Sequence, residues 1–350
     1  MLCGLWLSLA ACTSPFRAPD RPPAPGTAPQ PALTQPAATG AAAPEALGQV
    51  LARSAELLVY QPAAGDSLRG IAQRFLGSAD ESWQIAEANG LDRPQEDEPL
   101  LVPLVALNPL GVHADRLQLV PVLCYHRLGR TASRMSVPPA SFEAQMAWLV
   151  HNGYRVVRLS DLGEFLAGRK ALPPRSVVLT FDDGYASFHR FAFPVLKKYG
   201  LPATLFVYTD FIGAGDAVSW AQLRELSASG LVDVQSHTKS HRNLVERLAG
   251  ESEARYRLNL DAEMSLSREL LQRRLPGLEV RHLAYPFGDA DAVVTESARR
   301  NGYVLAATVV PGGNAFFAAP MMLRRTMIFG DTSLEDFKAR LQVERPLGRP

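Results

Sequence analysis

The sequence has few cysteines, no excess of charge and, after its first residues, no long apolar run. Three cysteines in 350 residues supply no disulfide framework, so the stability of the fold must come from a hydrophobic core. A formal net charge of +1 gives no indication of a nucleic-acid partner. Beyond the N-terminus, no stretch is long and apolar enough to be a transmembrane helix. With 47% hydrophobic and 20% charged residues, the chain has the composition of a globular protein.

Residues 1–12, MLCGLWLSLAAC, form a short apolar run that ends at Cys12. This run is too short to span a bilayer. Its last four residues resemble the lipobox of bacterial lipoprotein signals, which implies cleavage before Cys12 and a lipid on the Cys12 thiol. The resemblance predicts a cell-envelope protein held to a membrane by this lipid, and Thr13 and Ser14 favour the outer membrane, facing the periplasm. A chance apolar N-terminus is the alternative.

Residues 13–46, which follow this run, are rich in proline and alanine. Such a composition cannot bury enough apolar surface to fold, and proline keeps the backbone extended. We therefore expect a disordered tether that holds the folded part of the chain away from the membrane.

Residues 57–105 have the pattern of a small compact unit with the order strand, helix, helix, strand. The turn at Gly65-Asp66-Ser67 can cap a first helix, in which apolar residues recur at helical spacing. A second helix ends at Asn89-Gly90, and the short strand LLVPL closes the unit. This order resembles the LysM module, a βααβ fold that binds glycans containing N-acetylglucosamine, such as peptidoglycan. A small helical spacer is the alternative.

Residues 117–345 alternate between apolar runs and helical patterns. Alternation of this kind predicts a parallel sheet with crossover helices. Seven to eight such units favour an α/β fold of the deformed (β/α) barrel type, in which the chemistry takes place at the C-terminal ends of the strands. The apolar runs lie at 119–125, 154–159, 176–181, 202–208, 231–236, 281–286, 303–309 and 323–328.

Polar residues suited to metal chemistry follow two of these runs. Asp182 and Asp183 come after VVLTF, and His237 and His241 come after LVDVQS. Two histidines four residues apart can chelate one cation, and one added carboxylate leaves positions open for water and substrate. The other carboxylate is then free to act as a general base on a water that the cation activates. Such a site could attack an amide or an ester carbonyl.

Three motifs around these residues, TFDDGY, SHTKSH and AYPFG, resemble the first three motifs of the polysaccharide deacetylase (NodB-homology) family of carbohydrate esterases. The resemblance implies that Asp182 is the base. It also implies that Asp183, His237 and His241 bind a divalent cation, with zinc as the first choice and cobalt or nickel as alternatives.

The third motif implies further site residues. The turn after Pro286 matches the segment whose backbone N–H, here that of Phe287, stabilises the oxyanion of the reaction, and Tyr285 and Pro286 belong to the same substrate-binding segment. An arginine that orients the base usually begins this motif, but Ala284 stands there. Arg281, Arg324 and Arg325 are open as its replacement, with Arg324 and Arg281 as the first candidates.

The acid that protonates the leaving amine also stands at a different position in the chain from the usual one in the family. The usual C-terminal Leu-x-His is absent after residue 303, but VPVLCYHRL places His126 at the end of the first strand. This arrangement resembles the circularly permuted branch that deacetylates poly-β-1,6-N-acetylglucosamine, and it implies that His126 is the acid.

These features predict a metal-dependent deacetylase that removes N-acetyl groups from a polysaccharide containing N-acetylglucosamine. The LysM-like unit favours peptidoglycan as the polymer, whereas the permuted barrel favours an exopolysaccharide. Two alternatives stay open. One is an esterase that removes O-acetyl groups from a polysaccharide, and the other is an inactive lipoprotein that only binds the cell wall.

Overall fold

The computed structural model describes residues 47–96, 98–130 and 133–347. The predicted signal peptide with Cys12 and the predicted tether at 13–46 lie outside these residues. Within the described ranges, no helix has both the length and the apolar composition needed to cross a membrane.

The N-terminal part of the described chain is a three-stranded antiparallel sheet with two helices. The strands pair in the order in which they follow in the chain. The strand–helix–helix–strand order expected for 57–105 is present, and one more strand precedes it, while the relation to LysM stays a prediction. The side chain of Ser67 caps the first helix by accepting the N–H of Gly70 at 3.0 Å. The elements are β1 (Gln49–Arg53), β2 (Leu57–Gln61), α1 (Leu68–Leu76), α2 (Ser82–Asn89) and β3 (Leu100–Pro103).

The larger part alternates between strands and helices, as the sequence pattern indicates. Its first half contains β4 (Arg116–Gln118), β5 (Val120–Tyr125), β6 (Arg127–Leu128), β7 (Ser136–Val137), α3 (Pro139–His151), β8 (Arg155–Val156), α4 (Leu159–Leu166), β9 (Ser176–Phe181), α5 (Phe193–Tyr199) and β10 (Ala203–Val207). Its second half contains α6 (Trp220–Ala228), β11 (Val232–Ser236), α7 (Glu253–Arg274), β12 (His282–Ala284), α8 (Ala292–Arg300), β13 (Leu305–Ala307), β14 (Gly313–Asn314), β15 (Thr326–Met327), α9 (Leu334–Ala339) and β16 (Glu344–Pro346).

The main sheet is mostly parallel and curled. Its strands follow in the order β13-β12-β11-β10-β9-β5-β14, where β14 is antiparallel to β5. The segment 323–327 contacts strands that are distant in this order: Leu323 forms a parallel bridge to Ala307, and Thr326 pairs with Leu123 of β5. The fold is therefore mixed α/β with a curled half-barrel sheet, which is consistent with the predicted deformed (β/α) barrel.

Both faces of this sheet are buried. Successive residues of a strand point to opposite faces, so neighbouring residues pack into different apolar clusters. On β5, Val122 belongs to one apolar cluster, and its neighbour Leu123 belongs to another. The smaller cluster joins residues of the strands to Leu162 and Phe165 of α4, so this helix covers one face of the sheet. The larger cluster contains residues of α3, α5, α6, α7 and α8.

Replacement of Phe165 tests the role of α4. Phe165 is fully buried in the smaller cluster, so Phe165→Ala should lower the free energy of unfolding by about 3–5 kcal/mol. Urea denaturation followed by circular dichroism measures this. Leu258→Ala is the control, because Leu258 is 63% exposed and its loss should change stability by no more than about 0.5 kcal/mol. Equal small effects of both variants would show that α4 is not part of the core.

Candidate active site

Three parallel strands, with β10 between two of them, bring the candidate site residues to one edge of the sheet. His126 directly follows β5, Asp182 directly follows β9, and His237 directly follows β11. The Asp182 N–H donates to the carbonyl of Tyr125 at 2.9 Å, which ties the ends of β5 and β9 together. Because these strands are parallel, their C-terminal ends meet at the same edge of the sheet.

Asp183, His237 and His241 form a compact group of potential metal ligands. Asp183 Oδ1 lies 3.5 Å from His237 Nε2 and 3.3 Å from His241 Nε2. Ligand atoms about 2.0–2.1 Å from a tetrahedral zinc ion lie about 3.3 Å apart, so this spacing fits one cation. His237 Nδ1 lies 2.7 Å from the carbonyl oxygen of Ala284, to which it donates, and this leaves Nε2 free to bind a metal.

The backbone at this site is held in an unfavourable conformation. Left-handed φ angles occur at Asp183 (71°), Thr238 (72°), His241 (62°) and Phe287 (61°). Such a conformation costs a residue other than glycine about 1–2 kcal/mol. Strain of this size persists only where the surrounding structure imposes it, and it concentrates at functional sites.

Asp182 forms a buried bidentate ion pair with Arg325. Arg325 Nη1 and Nη2 donate to the two carboxylate oxygens of Asp182, each at 2.7 Å, and the Arg325 side chain is fully buried. Arg325 Nε donates to the carbonyl of Thr308 at 2.8 Å. Burial by itself would raise the pKa of Asp182, but the charges of Arg325 and His237 and the hydrogen bonds from Arg325 lower it to about 2. Asp182 is therefore ionised at neutral pH, as a general base must be.

This contact corrects the expectation that Arg324 or Arg281 orients the base. Arg324 Nη1 donates to the carbonyl of Pro311 at 2.9 Å, and Arg281 Nη1 lies 3.7 Å from the Glu279 carboxylate. Within the described ranges, Arg325 is the arginine whose side chain contacts Asp182.

The signal that separates these arginines is strand alternation. Leu323 and Arg325 are two residues apart and both fully buried, whereas Arg324 between them is exposed. In an extended segment, residues i and i+2 share a face. An apolar residue at 323 therefore predicts an inward side chain at 325.

His126 and Cys124 also lie close to Asp182. One ligand atom from each of Cys124, His126 and Asp182 lies within 4.8 Å of the others. Burial lowers the pKa of His126, against the opposing charges of Asp182 and Asp183. Cys124 Sγ is 3.5 Å from Asp182 Oδ2, and burial raises the pKa of the thiol. The buried Cys124 is therefore a protonated neighbour of the base.

The three site residues predicted from the AYPFG motif lie in different surroundings. Tyr285 is fully buried, and its hydroxyl donates to the carbonyl of Met321 at 3.0 Å, so its side chain supports the segment from inside. Pro286 is also buried and begins a short 3₁₀ turn. Phe287 is 61% exposed, and its ring centroid lies 4.9 Å from that of His241. The motif thus places an exposed aromatic ring beside a candidate metal ligand.

Further aromatic rings surround His241. The Tyr208 ring lies 5.1 Å from the His241 ring and stacks on Phe211 at 5.0 Å between centroids. The Tyr185 ring contacts Phe211 edge-on and carries the Arg127 guanidinium 3.8 Å from its centroid. The charged centre is therefore bordered by apolar ring surfaces.

Comparisons with known proteins identify the family. A family model described as polysaccharide deacetylase matches residues 169–306. The structure of IcaB from Ammonifex degensii is 31% identical with a TM-score of 0.58, and the match covers 64% of this chain and 97% of IcaB. The chain therefore belongs to the polysaccharide deacetylase family, and it is a hydrolase of carbon–nitrogen bonds other than peptide bonds.

Curated relatives carry a more specific name. The poly-β-1,6-N-acetyl-D-glucosamine N-deacetylase of Escherichia coli K12 is 28% identical over 241 residues, which are 59% of this chain and 36% of that protein. The protein of the same name from Staphylococcus aureus MRSA252 is 27% identical over 200 residues, which are 54% of this chain and 68% of that protein.

Replacement of Arg325 tests the buried ion pair. Arg325→Met leaves the Asp182 carboxylate buried without its partner, which should destabilise the fold by about 3–5 kcal/mol at pH 7. Because the pKa of Asp182 is lowered from 3.8 to about 2, this loss should shrink as the pH falls through that interval. Urea denaturation at several pH values measures both effects. Arg324→Met, the exposed neighbour, should change stability little, and an equal loss in both variants would contradict the assignment.

Proposed function

We propose that this protein is a metal-dependent N-deacetylase of a polysaccharide containing N-acetylglucosamine. The observation that carries the proposal is the juxtaposition of two different acidic groups at one edge of the sheet. Asp183 faces His237 and His241 at the spacing of metal ligands, while Asp182 pairs with a buried arginine. One set of residues suits a cation, and the other suits a base.

The residues present fit a divalent cation. Asp183, His237 and His241 would hold it, with zinc as the first choice for this mixed nitrogen and oxygen donor set and cobalt or nickel as alternatives. When bound, the cation supplies Lewis acidity towards the acetyl carbonyl and the attacking water.

The side chains of Asp182 and His126 then transfer the protons. Asp182 accepts a proton from the attacking water, while its ion pair with Arg325 holds the carboxylate in one orientation. The water oxygen bonds to the acetyl carbon, and the carbon–nitrogen bond breaks. The protonated form of His126 donates a proton to the departing nitrogen, and Asp182 keeps the proton taken from the water, so the products are acetate and a free amine. The backbone N–H of Phe287 is our candidate for stabilising the oxyanion.

The choice of polymer rests on the names of the relatives and on the position of His126 in the sequence. Relatives from E. coli and S. aureus are named poly-β-1,6-N-acetyl-D-glucosamine N-deacetylases. His126 precedes the first motif here, an order that resembles the branch acting on that exopolysaccharide. Exposed rings such as Phe287 can pack on pyranose faces beside the site. We therefore place this exopolysaccharide first and peptidoglycan second.

Substitution of the base and removal of the cation test the reaction. Asp182→Asn should lower acetate release by about 10²–10⁴-fold, because an amide cannot accept the proton. Incubation of the wild type with a chelator should abolish release, and added zinc should restore it. Acetate is measured from defined poly-β-1,6-N-acetylglucosamine, peptidoglycan and acetylated xylan.

Asp115→Asn is the matched control, because the Asp115 carboxylate is exposed and pairs with Arg116, and this variant should keep wild-type rates. Unchanged release by Asp182→Asn would contradict its assignment as base. Release from xylan alone would indicate the O-acetyl esterase instead.

We further propose that the N-terminal unit binds glycan and that Cys12 carries a lipid anchoring the protein in the cell envelope, facing the periplasm. The loops that precede α1 and follow α2 border a cleft of about 410 Å³, which Trp83 also lines. Its lining includes Asp66, Arg69 and Pro94 of this unit, and Arg155 of β8 also lines it. A cleft of this size can hold a sugar unit.

A sedimentation assay with insoluble peptidoglycan tests this unit. The full-length protein should co-sediment, and Trp83→Ala should reduce the bound fraction because it removes an aromatic surface from the cleft. Asp182→Asn is the control, since the base lies in the other part of the chain and its loss should leave binding intact. Equal binding by Trp83→Ala and the wild type would exclude this cleft as the glycan site.

A further inference from the structure

A buried carboxylate from α7 lies beside the segment that carries both histidines. Glu263 is 8% exposed. Its Oε2 accepts the backbone N–H groups of Lys239 at 3.0 Å and of Ser240 at 2.8 Å, and its Oε1 accepts the Ser240 hydroxyl at 2.6 Å. Lys239 and Ser240 lie between His237 and His241, so Glu263 holds the middle of the metal-binding segment.

These contacts engage both carboxyl oxygens of Glu263, since Oε2 accepts two backbone N–H groups and Oε1 is bonded to the Ser240 hydroxyl. The nearby ammonium of Lys239 pairs with Asp210 instead, at 2.9 and 2.7 Å from its two oxygens. Throughout the described ranges, no lysine or arginine forms an ion pair with Glu263.

The helix α7 braces the segment at a second point. Ser267 lies four residues after Glu263, on the same face of the helix. Its hydroxyl is 2.8 Å from that of Ser236, whose oxygen accepts the N–H of Thr238 at 3.1 Å. Both anchors adjoin the residues with left-handed φ angles, Thr238 and His241.

We infer that Glu263 is a positioning residue of the metal centre: its carboxyl group holds the segment 237–241 in its strained conformation and thereby raises the affinity of the histidines for a divalent cation. This inference rests on the proposed metal dependence. Partners that orient metal ligands typically contribute about 10- to 100-fold in metal affinity. A purely structural role would lower stability without changing the affinity of the folded protein.

The test is the dissociation constant for zinc of Glu263→Gln. One carboxyl oxygen becomes an NH₂ group, which cannot accept a hydrogen bond, so the three contacts cannot all be kept. Metal-stripped protein should therefore bind zinc about 10- to 100-fold more weakly in competition with a fluorescent chelator. Acetate release at saturating zinc should recover to near the wild-type rate. Glu269→Gln is the matched control, because Glu269 lies on the same helix and is exposed, and its affinity should equal that of the wild type.

Ser240→Ala is a milder variant that removes one of the three donors and leaves both histidines in place. It should weaken zinc binding by less than Glu263→Gln does, and it decides the question if Glu263→Gln does not fold. Wild-type affinity in the folded variants would overturn the role of Glu263 while leaving the proposed function intact. Failure of the wild-type protein to bind any divalent metal would overturn the proposed function and this inference with it.

Discussion

The buried ion pair between Asp182 and Arg325 links the closure of the curled sheet to the chemistry of the site. Asp182 follows β9, and Arg325 lies in the segment that bridges to Ala307 and pairs with β5. Removing either partner would leave an uncompensated charge in the core. The position of the Asp182 carboxylate and the course of this late segment are therefore set by one interaction.

Two adjacent acids acquire different roles because their surroundings differ. Asp182 enters the interior and meets a guanidinium, while Asp183 turns through a left-handed φ angle towards His237 and His241. Burial opposes ionisation of both, and the neighbouring cationic or hydrogen-bonding groups outweigh it. The difference between the two acids is thus a property of their environment and not of their side chains.

The sequence pattern predicted much of the fold. Alternating apolar runs indicated the parallel strands, and polar residues at their ends indicated where His126, Asp182 and His237 would meet, since parallel strands present their C-terminal ends together. The small N-terminal unit was predicted from its helix caps and from the helical spacing of its apolar residues. Its extra strand β1 and the pairing of β16 with β4 were not predicted, because they depend on partners elsewhere in the chain.

By itself, the sequence determined the class of fold, the family and the residues able to bind a metal, because periodicity and short motifs are local properties. Only the tertiary structure decided that Arg325, and neither Arg324 nor Arg281, meets the base, and that Glu263 supports the segment between the histidines. Both contacts join elements that are remote in the chain. Several residues of the same type could have made each contact, and the packing of the fold determines which one does.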